Sequence, residues 1–220
     1  MSELASWVER RLGHKVGDLK LFERALTHGS AARDSYERLE FLGDRVLGLV
    51  VARWLFERFP DEPEGKLSRR LNVLVARETC AHIGRDLEVP ALIRLGKQAR
   101  EDGATGSDNV VGDVVEALLG ALLIDAGMDH ADAFVRRTWA PYLDSQKRAP
   151  QHPKSQLQEI AAERGLRPPL YEMLGRSGAH HSPTFRVKVA VTGIGEAEAE
   201  GSSKQEAETA AARAMLEKMS

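Results

Sequence analysis

Five acidic residues in two short stretches are the groups of this chain that could do chemistry. The first stretch is Glu37-Arg38-Leu39-Glu40-Phe41-Leu42-Gly43-Asp44, with carboxylates at i, i+3 and i+7. On an α-helix such residues share a face, so Glu37, Glu40 and Asp44 form one stripe while Leu39, Phe41 and Leu42 point elsewhere. Like charges at these spacings cost an isolated helix roughly 0.2–0.5 kcal/mol per pair. Two readings follow. Charge runs usually mark a solvated face, or the stripe awaits a hard cation such as Mg²⁺, which takes oxygen ligands.

The second stretch favours the cation. Val110 to Ile124 is apolar nearly all round, which marks a buried helix, yet it carries Asp113 and Glu116 at i, i+3. Buried carboxylates are costly unless paired or bound to a metal. No Lys or Arg lies between Arg100 and Arg136 to pair with them locally. A place near the helix start would let Asp113 complement the helix dipole, but Glu116 sits a turn further in. Acidic pairs on two hydrophobic helices therefore suggest one shared metal site.

The elements that must position these acids read as helical up to about Tyr142. Leu21 to Thr27, Glu37 to Phe59, Leu67 to Gly84, Val110 to Gly127 and Ala131 to Tyr142 have helical spacing or composition. Pro60-Asp61-Glu62-Pro63 breaks the chain, and Glu62 reads as a solvated loop acid. Gly127 has the place of a helix C-cap, and Lys97 to Asn109 reads as a flexible loop. Polar, proline-containing residues 144–153 form a linker between a first domain, 1–143, and a second, 154–220. The second opens with a helix, Ser155 to Arg164. Strands follow at Tyr171 to Arg176, Phe185 to Val191 and Glu196 to Glu200, the latter two with period-two alternation. Ser203-Lys204-Gln205-Glu206 is a capping box that opens a last helix with Ala207, Ala210, Ala211, Ala214 and Met215 on one face. The fold class is an all-α domain followed by a small α+β domain of order α-β-β-β-α.

Composition excludes several classes. With 31 basic and 33 acidic residues the chain is not a polycation, and residues 151–220 carry nine of each. Any nucleic-acid contact must use a local patch. A single cysteine, Cys80, excludes an intrachain disulfide framework, argues against a cysteine-rich zinc site and fits a small core residue in a reducing compartment. Residues 1–13 lack the apolar core of a signal peptide. The longest apolar stretch, Val46 to Phe56, is interrupted by Arg53 and falls short of the about 20 residues that span a bilayer. A soluble, cytoplasmic protein without membrane contact is expected.

Taken together, these residues resemble the bacterial ribonuclease III family over almost the whole chain. Leu26-Thr27-His28-Gly29-Ser30 followed by Glu37 to Asp44 is similar to the family's signature, and Gly112-Asp113-Val114-Val115-Glu116-Ala117-Leu118-Leu119-Gly120 to its second acidic helix. The α-β-β-β-α unit is similar to the family's double-stranded-RNA-binding domain. The resemblance implies a homodimeric endoribonuclease that cuts both strands of an RNA duplex, leaves 5′-phosphate and 3′-hydroxyl ends, and processes ribosomal RNA precursors and other structured RNAs. It maps Glu40, Asp113 and Glu116 onto metal ligands, Asp44 and Glu116 onto catalytic acids, and Glu37 and Glu64 onto supporting acids. Phe41 matches a position that inserts into the partner subunit, although a core role is almost as compatible with the sequence. With no soft ligands present, Mg²⁺ is expected, or Mn²⁺ in its place.

For the second domain the resemblance maps Ser155, Gln158, Glu159, His181 and Lys204 onto RNA contacts. A lysine at a helix start suits a phosphate. Relatives commonly have a second lysine where this chain has Gln205, so weaker, flatter salt-dependent binding is expected. His28 reads as a structural hydrogen-bonding residue, and Trp7, Trp54 and Trp139 as core or dimer residues. Arg45 could neutralise the site or contact phosphate. A non-catalytic duplex-RNA-binding scaffold is the rival reading; it predicts degraded carboxylates, whereas Glu40, Asp44, Asp113 and Glu116 are all present. A small-molecule phosphohydrolase would leave the second domain without a task.

Overall fold

The computed structural model describes residues 2–179 and 182–219. The chain divides into two compact units, residues 1–150 and 151–220. In the larger unit the helices are α1 (Glu3–Leu12), α2 (Leu19–Ala25), α3 (Glu37–Arg58), α4 (Glu64–Leu74), α5 (Arg77–Asp86), α6 (Lys97–Glu101), α7 (Asp108–Ala126) and α8 (Met128–Ser145), with 3-10 turns at Val89–Leu92 and Ala104–Gly106.

α7 is the central element. Val111, Val114, Ala117, Leu119, Ala121 and Leu122 are fully buried, so apolar residues face neighbours on all sides. α3 packs along one side through Leu47, Val50 and Val51, and α5 along another through Cys80, Ala81 and Ile83. Gly127, with φ of 84°, stops α7 in a backbone region that glycine enters without a Cβ clash. Trp7 and Trp139 are buried and donate their indole N–H groups to the carbonyls of Leu87 and Leu74, while Trp54 is half-buried.

The structure corrects four expectations here. The helix expected over 67–84 is two helices, because Ala76 takes an extended conformation that lets α4 bury Leu74 while α5 turns onto α7. The 97–109 loop contains α6 and a 3-10 turn. Glu62 is no free loop acid: its carboxylate takes two hydrogen bonds, at 2.7 and 2.8 Å, from Arg70, which is 1% exposed. Arg70 also lies 3.9 Å from the Phe59 ring centroid and donates to the Gln146 carbonyl, tying the α3–α4 turn to the end of α8. α8 runs through Pro141 to Ser145, so the first residues of the expected linker are helical.

In the smaller unit, α9 (Pro153–Glu163) and α10 (Lys204–Met219) flank an antiparallel sheet in order β1-β2-β3: Leu170–Ala179, Ser182–Val191 and Gly195–Gly201. Register pairs Glu172 with Lys188 and Lys188 with Glu198 on one face. Val187, Val189 and Val191 alternate onto the other, where they meet Leu157, Ala207, Ala211, Ala212 and Met215. The capping box is half as expected. Ser203 Oγ accepts from the Glu206 amide at 3.1 Å, but the Glu206 carboxylate reaches back to the amide of Ser202, one residue earlier.

Candidate functional site

The acids come together because two helices touch backbone to backbone. A Cβ placed on Gly43 of α3 would lie 1.7 Å from the Glu116 carbonyl oxygen of α7, and one on Gly120 would lie 2.2 Å from the Leu39 carbonyl oxygen. Only glycine permits so close a crossing. Glu40 and Asp44 flank Gly43 in sequence, and Glu116 supplies the atom that Gly43 meets, so the crossing holds the two acidic pairs side by side.

Electrostatics confirm that the four carboxylates are neighbours. Glu116 is pushed up to about 8, first by burial and then by the charges of Asp44, Asp113 and Glu40. Glu40 is raised by burial and then by Asp113, Glu37 and Asp44. Burial also raises Asp113, against a hydrogen bond from Tyr36 and the positive charges of Arg77 and His28. Desolvation and like charge both disfavour ionisation, so without a cation the site holds on to protons that ordinary carboxylates would have lost.

The oxygens of this group have few partners. The Tyr36 hydroxyl, in a side chain 4% exposed, donates to Asp113 Oδ2 at 3.3 Å. Arg45 pairs with Asp44 and lies over the Phe41 ring. Cys80 Sγ stands 4.0 Å from Glu116 Oε1, and burial together with Glu116, Asp44 and Asp113 pushes its thiol up. Among the described residues, no group of three or more His, Cys, Asp or Glu side chains is arranged to hold a metal ion. The predicted ligands are thus neighbours without converging in ligand geometry. Their chemistry still fits a hard divalent cation: every donor is a carboxylate oxygen, and the surplus negative charge is what such an ion would offset.

Glu37 is exposed at the start of α3, and its charge is felt by Glu40 and Tyr36. Glu64 opens α4, exposed, and accepts from Ser68 Oγ at 2.6 Å; it is not among the acids that perturb Glu116. His28 is held by Ser30 at 2.8 Å and edge-on to Tyr36, a structural role. Phe41 is not a core residue: it is 67% exposed. Sequence reasoning missed Tyr36, Arg77 and the contact of Cys80 with Glu116. Tyr36 precedes the signature by one residue, but its partner lies 77 positions away. Cys80 and Arg77 share a helix face at i, i+3, a signal that means nothing until α5 is known to lie on α7.

In the smaller unit Ser155, Gln158 and Glu159 are exposed on α9, and Glu159 accepts from Gln151 at 2.6 Å. Lys204 opens α10 exposed, 3.9 Å from Glu208; Lys154 reaches the same carboxylate at 2.5 Å and lies over the Tyr171 ring. Both cations thus share one acid beside the helix start. His181 lies outside the described residues.

Comparison with known proteins agrees with this division. A family model described as Ribonuclease-III-like matches residues 18–143, and one described as Double-stranded RNA binding motif matches residues 153–219. Ribonuclease 3 of Zymomonas mobilis is 56% identical over 96% of this chain and 86% of its own length. Ribonuclease 3 of Rhodopseudomonas palustris is 46% identical over 96% and 80%. A solved structure of the nuclease domain of ribonuclease III from Campylobacter jejuni, reported for flexibility in a region involved in dimer formation, superimposes with a TM-score of 0.59 and 34% identity, covering 60% of this chain and 93% of that one. An α-helical domain with an acidic interhelical crossing, joined to an α-β-β-β-α unit, defines the class. The chain belongs to the ribonuclease III family, and its two domains make it a double-stranded-RNA endonuclease.

Proposed function

We propose that the chain is a divalent-metal-dependent homodimer that hydrolyses both strands of an RNA duplex and leaves 5′-phosphate and 3′-hydroxyl ends. The observation that carries this reading is the α3–α7 crossing, where four acids of one sign share a half-buried site and Glu40, Asp113 and Glu116 have their proton affinity pushed upward. Glu40, Asp113 and Glu116 would hold the ion, with Asp44 beside them. Mg²⁺ fits the all-oxygen donors, and Mn²⁺ can substitute. When bound, the ion supplies an activated water and charge stabilisation at the leaving 3′ oxygen.

The chain's own residues do the rest. Asp44 and Glu116 place acceptors for the proton that water loses as it adds to phosphorus. Tyr36 fixes Asp113 in one orientation, and the apolar walls of α5 and α7 limit solvent at Glu116. Glu37 and Glu64, both exposed, would orient substrate groups. In the smaller unit Ser155, Gln158, Glu159, His181 and Lys204 would contact the duplex, which is read by shape through 2′-hydroxyls and phosphates.

The dimer reading rests on α3, where Phe41, Leu49 and Phe56 are 67%, 62% and 74% exposed along one side. A stripe of this size on an ordered helix suits a partner subunit, and the Campylobacter jejuni nuclease domain has a region involved in dimer formation. No helix of the described residues is long and apolar enough to cross a membrane. Processing of ribosomal RNA precursors and maturation or decay of messenger, transfer and other structured RNAs in the cytoplasm is the corresponding cellular work. Incubation of a long RNA duplex with and without Mg²⁺, followed by end-group analysis, tests the proposal. Mg²⁺-dependent products with 3′-hydroxyl ends are expected; 3′-phosphate ends or no cleavage would overturn it.

A further inference from the structure

Arg77 opens α5 on the side that packs against α7. A Cβ on Gly112 would sit 3.3 Å from the Arg77 carbonyl oxygen, 3.4 Å from Arg77 Cγ and 3.6 Å from Cys80 Cβ. The α5 face bearing Arg77 and Cys80 therefore runs along Gly112, Asp113 and Glu116, with Cys80 already touching Glu116. The positive charge of Arg77 reaches Glu40, Asp113 and Glu116 and lowers the proton affinity of each.

The other cations at the site are engaged. Arg45 is tied to Asp44, and His28 to Ser30. Arg77 is exposed, and among the described residues its guanidinium makes neither an ion pair nor a hydrogen bond, so its whole donor fork is free at the rim of the acidic crossing. A guanidinium present only to balance the acids would gain by pairing with one of them. A planar fork left free beside a phosphodiester-cleaving site matches two oxygens of a phosphate.

We propose that Arg77 is a substrate-contacting catalytic residue: its guanidinium holds a non-bridging oxygen of the phosphate being cut. As water adds to phosphorus and the bond to the 3′ oxygen breaks, the phosphoryl oxygens gain negative charge, and a pre-placed donor at that point stabilises it. The proposal rests on the duplex-cleavage reading given above.

Full-length Arg77→Ala and Arg77→Lys variants test it against a long RNA duplex under single-turnover conditions with saturating protein and Mg²⁺. Arg77→Ala should slow cleavage about 100-fold, the usual effect of losing one charge-stabilising donor. Arg77→Lys should recover part of the rate, since it keeps the charge and loses the fork. Duplex affinity in EDTA and the Mg²⁺ concentration for half-maximal rate should match the parent. Sulfur in place of the contacted oxygen should slow the parent and leave Arg77→Ala unaffected. Cleavage by Arg77→Ala at the parent's rate, or full rescue by excess Mg²⁺, would overturn the proposal and leave Arg77 a counter-charge. Failure of the parent to cut with Mg²⁺ would instead sink the cleavage reading, and this assignment with it.

Discussion

Charge is arranged in opposite ways in the two units. On the sheet of the smaller unit, Lys188 lies 3.0 Å from Glu172 and 3.6 Å from Glu196, and Arg186 lies 2.7 Å from Glu198. Each acid faces water and a neighbour of opposite sign. At the α3–α7 crossing of the larger unit, half-buried acids face each other, with Arg45 paired to Asp44 alone and Arg77 standing off. Solvated pairs of the first kind contribute about 0–1 kcal/mol each and could be exchanged with little consequence. Half-buried charges of one sign cost stability unless something else is gained. Sign balance, more than the number of acids, separates a surface from a site.

The sharpest way to break this contrast is Glu116→Gln. It removes an acid from the crossing, and cleavage should fall by about 10³-fold or more while duplex binding persists; near-parental turnover in saturating Mg²⁺ would sink the site. Next comes Gly43→Ala, whose Cβ would lie 1.7 Å from a backbone oxygen. Overpacking of this kind should cost about 3 kcal/mol and most of the cleavage. Gly175→Ala in the sheet, with nothing within 4 Å of its Cβ, should change stability by about 0.5 kcal/mol at most. Chemical denaturation of the two variants tests whether close crossing or glycine content matters.

A pH series sharpens the electrostatic side. Glu116 binds its proton more tightly in the folded chain, with a value of about 8 against an ordinary 4.5. Between those values the folded state holds more protons than the unfolded one, so stability falls as pH rises through the window. Glu40 and Asp113 shift the same way. The melting temperature of the metal-free protein should therefore drop from about pH 4.5 to about 8, and less so in Glu116→Gln. An unchanged slope in the variant would show that Glu116 does not carry the cost. The smallest effect belongs to the other unit. Lys204→Ala should reduce the salt dependence of duplex binding by about one unit of log–log slope, and Gln205→Lys should steepen it by a similar amount.

Much of this contrast was legible before any coordinates. The acids at i, i+3 and i+7 pointed to α3, and carboxylates inside an apolar run pointed to a buried α7, because helical periodicity and the cost of burying charge act locally. The break between α4 and α5 was not legible: Val75 and Ala76 carry no turn signal, and tertiary packing rather than local preference bends the chain there. Contacts of long separation were equally hidden, including Tyr36 with Asp113 and Arg70 with Gln146. Glu62 misled for the same reason, since a proline-flanked acid looks solvated until a buried arginine arrives from the next helix.

Gly43 and Gly120 have a consequence beyond tight packing. Because main chain meets main chain there, the separation of the two helices is a gauge whose width no side-chain rotamer can adjust, and only the carboxylate arms are left to adapt. Closing it is sterically barred, and opening it would pry α7 from its buried neighbours. Mg²⁺ requires oxygens at about 2.0–2.1 Å, whereas Ca²⁺ takes them at about 2.3–2.6 Å and in greater number. Two residues without side chains thus fix the span that the carboxylate arms must bridge to bring their oxygens to any such ion.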